Sequence, residues 1–108
     1  MKELVDVLNK IVPTYPQTAA SRATAPYAVY DISDTPIRTK DGIAGYEGTL
    51  TLTVFASSVS IAKELAGRII TAVDSRIIGE RRYYYADTSH EDYPDEGISS
   101  SVITFNTL

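Results

Sequence analysis

The clearest hydrophobic pattern in the chain is the alternation through Tyr46-Glu-Gly-Thr-Leu-Thr-Leu-Thr-Val-Phe-Ala56. Tyr46, Leu50, Leu52, Val54 and Ala56 fall on one face at period two, and Glu47, Thr49, Thr51 and Thr53 on the other, as a strand covered on one side requires. The period then lengthens. Over residues 59–75, Ala62, Leu65, Ala66, Ile69 and Val73 form a helical stripe flanked by Ile61 and Ile70, while Lys63, Glu64 and Arg68 lie away from its centre. Ser57, Ser58 and Ser60 supply N-cap hydroxyls for that helix.

The same reading places a first helix over residues 2–12, where Leu4, Val7, Leu8 and Ile11 recur at helical spacing, Val5 and Val12 widen the stripe, and Pro13 ends it. Residues 14–25 lack a period and read as a surface connection. Residues 26–32 read as the first strand, with Tyr27, Val29 and Asp31 facing one way and Ala28, Tyr30 and Ile32 the other. Residues 33–45, with Pro36, Gly42 and Gly45 among charges, read as a long hairpin loop that is mobile in the free subunit. Three consecutive tyrosines make 81–86 a third strand, residues 90–97 an acidic loop, and 99–105 the closing strand. The order helix, strand, strand, helix, strand, strand predicts an α+β domain, an antiparallel four-stranded sheet with both helices packed on one face. Its shared core should contain Leu8, Ile11, Leu50, Leu52, Val54, Leu65, Ile69 and Val73.

At 108 residues the chain is read as one domain, 1–108, large enough to bury a core without staples. The absence of cysteine excludes disulfides, thiolate metal sites and a cysteine nucleophile. No apolar run approaches the roughly 18 residues of a membrane span, and the N-terminus lacks a signal-peptide layout, so the expected location is cytosolic. A net charge of −4 argues against a dedicated nucleic-acid binder, whose affinity comes from neutralising phosphates.

The chemistry-bearing groups are few. His90, Glu91 and Asp92, with Asp87, Asp95 and Glu96, have metal-ligand side chains but no ligand spacing, and read as a solvated acidic loop. The single histidine has no motif-placed serine, so no catalytic residue is assigned. Gly42, Gly45 and Gly48 repeat a Gly-x-x-Gly spacing but lead into a strand, as turn and bulge glycines do. The tyrosines beside Arg81 and Arg82 fit a protein interface, an ordinary surface or a platform for single-stranded bases.

Taken together, the N-terminal helix, Pro26-Tyr27 opening a short strand, the Thr-rich strand 48–55, the Ser-rich junction and the aromatic strand before a short closing strand resemble one family. These are the tail terminators of tailed phages and prophages, also called tail completion or head-tail joining proteins. The resemblance implies a structural virion protein without catalytic residues, cofactor or metal, assembled in the cytoplasm of a bacterial host. It also implies a ring-shaped homo-oligomer, typically a hexamer, that contacts the tail tube protein and the head connector and lets DNA pass without specific binding. Tyr30, Asp34, Arg38, Lys40, Asp41, Tyr46, Arg82 and Tyr84 are then the interface candidates. Asp34, Asp41, Glu91, Asp92, Asp95 and Glu96 are the candidates for a lumen that repels phosphate. The alternative is a small binding module that uses its tyrosine-rich sheet face for a peptide or single-stranded nucleic acid.

Overall fold

A computed structural model describes residues 2–16, 25–79, 81–93 and 97–107, without the side chains of 43–46 and 93. Its elements run α1 (Lys2–Asn9), β1 (Thr14–Pro16), β2 (Tyr27–Thr39), β3 (Gly42–Ala56), α2 (Val59–Val73), β4 (Arg76–Ile78), β5 (Arg81–Tyr93) and β6 (Ile98–Thr107). The strands form one six-stranded sheet in the order β1-β2-β3-β6-β5-β4. It is mixed, because β1 runs parallel to β2 while the other neighbours are antiparallel.

This corrects the expected antiparallel four-stranded sheet. The two added strands are three-residue edges, too short to carry a hydrophobic period. β1 lies inside the segment read as a surface connection, of which 17–24 fall outside the described residues. β4 occupies the stretch just past α2, which ends at Val73. Ser75 reverses the chain there with a φ of 59° and donates its N–H to the Tyr83 carbonyl at 2.7 Å.

The loop expected over 33–45 is also corrected. β2 and β3 stay paired from Tyr27↔Phe55 to Thr39↔Gly42, leaving only Lys40 and Asp41 between the strands. Pro36 looked like a breaker, yet it stands where its missing N–H removes no ladder bond. The Ala28 N–H donates outward to Pro13, and Pro36, eight residues on in unbroken register, shares that outward side. Gly42 turns the chain with a φ of 117°, and Gly45 pairs with Ile37 where the register shifts, so both serve turn and bulge. Likewise the acidic loop expected from residue 90 begins later: His90 to Tyr93 continue β5, and 94–96 lie outside the described residues.

The hydrophobic faces converge as their periods require. Leu4 and Leu8 of α1 and Leu65, Ile69 and Val73 of α2 close over Ala28, Leu50, Leu52, Val54, Ile103, Phe105 and Tyr83, all on one sheet face. Of the expected core only Ile11 is half-buried, packed at the margin. Ser58 caps α2, accepting a hydrogen bond from the Ile61 N–H at 3.2 Å. Beyond Gly48, which pairs with the last strand residue Thr107, β2 and β3 run on as a two-stranded arm. The molecule is accordingly elongated, 54 × 24 × 22 Å.

Candidate interaction surfaces

Period-two alternation divides the sheet into a helix-covered face and an open one. Asp31 and Ser33 of β2, Thr49, Thr51 and Thr53 of β3, and Val102, Thr104 and Asn106 of β6 share the open face by register. Hydroxyls dominate it, and most of these side chains are only half-buried. At one end Phe55 stacks on Tyr27 with ring centroids 5.0 Å apart, and Tyr15 meets Tyr27 edge-on at 6.5 Å. At the other end an open groove is bordered by Ser33, Thr35, Glu47, Thr49, Tyr84 and Asn106.

The interface candidates divide between several regions. Arg38, Lys40 and Asp41 come together, exposed, at the tip of the arm. Arg82, opposite the exposed Ile77, and Tyr84, opposite Asn106, share the β5 end of the open face. Tyr30 is drawn against the core from the helix face. Tyr46 belongs to β3 in the arm, and its side chain lies outside the described residues. Exposed apolar groups that sequence reasoning passed over are Tyr15, Ile37 and Ile77, while Ile61, expected beside the stripe of α2, is exposed. Ile77 carried no signal because β4 is too short for one.

Asp34 has a structural role on the opposite face. It pairs with Gly48 and lies in the row that continues through Thr107 to Tyr83. Its carboxylate accepts two hydrogen bonds from Arg81, 3.2 Å at Nη1 and 2.5 Å at Nη2. The absent Gly48 side chain makes room, since a Cβ there would stand 2.6 Å from Asp34 Oδ1 and closer still to the Ser33 carbonyl oxygen. The Asp34 hydrogen bond raises the Arg81 pKa further above its ordinary value. Both groups are partly exposed, so the pair contributes at most about 1 kcal/mol. Tyr83, 2% exposed beneath them, has its phenol pKa pushed above its ordinary value by burial, with Asp34 and Glu3 adding to the effect and Arg81 opposing it.

Two polar pairs tie β5 to β6 on the helix-covered side. His90 Nδ1 lies 2.6 Å from Ser101 Oγ, and Ser99 Oγ donates to Asp92 at 2.7 Å. Each hydroxyl is buried and has one cross-strand partner, the arrangement of a strand clasp. Among the described residues no group of three or more His, Asp or Glu side chains is placed to hold a metal ion. No helix of the described residues is long and apolar enough to cross a membrane.

No family model matches the chain, and no curated protein matches it in sequence. Among solved structures the fold is similar to that of a chain in the virion of a native gene transfer agent particle, with a TM-score of 0.70. That alignment covers 96% of this chain and 81% of the other at 12% identity. At that identity the likeness is one of fold.

Proposed function

We propose that this chain is a structural component of a phage-like virion, without enzymatic activity, and that it acts there as a tail terminator. In this reading identical subunits close into a ring, of six on the family pattern, at the head-proximal end of the tail. The ring terminates the tail tube, joins it to the head connector and leaves a passage for DNA. The observation that carries the reading is the fold shared with a gene transfer agent virion chain over 96% of this one. The element order that resembles the tail terminators supports the finer assignment, as does the division of exposed groups between an arm tip and an open sheet face. Surfaces at different places on one subunit suit heterologous contacts, which close into rings when the rotation allows.

Native mass spectrometry over a concentration series, with and without the tail tube protein of the same phage or prophage, tests the proposal. A closed oligomer of fixed order is the expected species. A strict monomer under both conditions would refute it.

A further inference from the structure

We infer that the Arg81–Asp34 pair is a strap across the root of the β2–β3 arm, and that it opens and closes in the native subunit. The inference concerns the single subunit and does not depend on the ring proposed above. The arm leaves the sheet where β6 ends at Thr107, level with Gly48. Beyond that level β2 and β3 pair only with each other among the described residues, so no third strand holds the angle of the ribbon. Asp34 stands at this root, opposite Gly48. Arg81 belongs to β5 in the body of the subunit and reaches the Asp34 carboxylate with two hydrogen bonds. Among the described residues no other arm side chain is hydrogen-bonded to the body; Thr39 bonds within the arm turn.

Gly48 is shaped for the closed strap. Glycine inside a strand weakens it and marks a place of close approach. Here a Cβ would fall 2.6 Å from Asp34 Oδ1, so the bare β3 backbone is what leaves room for the carboxylate to meet Arg81.

Thr107 is the opposing term. It lies between Gly48 and Tyr83 in the row that the pair bridges, it is 1% exposed, and its Oγ1 has no hydrogen-bond partner among the described residues. A hydroxyl left dry costs free energy of the same order as a partly exposed ion pair gains. Closing the strap makes the pair and leaves Thr107 unsatisfied; opening loses the pair and returns water to the hydroxyl. Opposed terms of similar size leave both states populated. Ile37, Arg38 and Lys40, exposed towards the arm tip, are held in one direction by the closed strap and sweep a range when it opens. Salt favours opening, because solvent reaches both charges.

Distances between spin labels test the strap. The chain has no cysteine, so Lys40→Cys with Lys63→Cys, both exposed, place one label at the arm tip and one on α2. Pulsed electron resonance should give a narrow closed component and a broad open one. Arg81→Gln and Asp34→Asn should each move the closed-to-open ratio towards the broad component by up to about fivefold. Molar salt should do the same to the unmodified chain and nothing further to Arg81→Gln. Thr107→Val, which keeps the shape and removes the hydroxyl, should move the ratio the other way. A control pair within the body, Lys63→Cys with Ser89→Cys, should hold one distance throughout, and circular dichroism melts confirm that every variant folds. A distribution that is the same in the unmodified chain, Arg81→Gln and Thr107→Val would overturn the inference. So would a control pair that broadens as much as the arm pair, since the variants would then loosen the whole subunit.

Discussion

Leu52 is fully buried, with Tyr30 opposite it on β2 and Ile103 on β6. Truncation to alanine removes three heavy atoms from a site walled on every side, so Leu52→Ala should cost about 2–5 kcal/mol in chemical denaturation. A cost below half a kcal/mol would mean that the leucine and threonine faces had been exchanged by a one-residue slip. Tyr83 gives a pH dependence of definite sign. Its pKa in the folded state is raised above the ordinary value near 10, chiefly by burial. The folded chain thus keeps a proton that the unfolded chain releases, and stability is fully present below pH 10 and falls as pH climbs towards the folded-state pKa. Urea midpoints between pH 9 and 11 should decline, and in Tyr83→Phe they should decline less steeply. An equal slope in both proteins would remove Tyr83 from the account.

At the scale of elements, the sequence announced those whose apolar positions repeat often enough to set a period. Leu50, Leu52 and Val54, and the stripe from Ala62 to Val73, are buried where the periods place them. The sequence did not announce features that depend on neighbours. Thr14–Pro16 becomes a strand only because β2 offers a parallel edge, and Pro36 is harmless because among the described residues no strand pairs with β2 on its outer side at that point. Charges and glycine made the arm look like a loop, since a two-stranded ribbon outside the core needs no apolar face. The interface candidates were legible as residue types but not as a surface: Asp34 turned to the helix face and Tyr30 to the core margin. Stability should follow the same boundary. Residues 49–55 of β3 are flanked by β2 and β6, whereas residues 43–47 are paired on one side only. Amide exchange in the free subunit should be slow in 49–55 and faster, through local opening, in 43–47. Equal protection across Gly48 would show that the arm and the sheet open as one unit.

On the scale of the whole molecule, the proposed ring must let duplex DNA pass without holding it, and charge placement decides which face can line such a passage. Asp34, a candidate from the sequence, is engaged with Arg81 on the helix-covered face. Asp92 also belongs to that face, level with Ser99 and bonded to it, and Asp41 sits at the arm tip. The open face instead carries Asp31 and Glu91, with threonine hydroxyls between them, and Glu47 borders its groove. Spaced carboxylates and hydroxyls repel phosphate, and Arg82 at the β5 end offers it little to hold, so counterion release contributes little binding energy. We therefore expect the assembled protein to show no salt-sensitive retention of duplex DNA in a mobility-shift assay at low ionic strength. The double variant Asp31→Lys/Glu47→Lys should acquire such retention and lose it as salt rises. Lysines on the helix face, which would be turned away from the passage, should produce a much smaller effect. Tight, salt-sensitive binding by the unmodified assembly, or no difference between the two lysine sets, would rule out the open face as the lining.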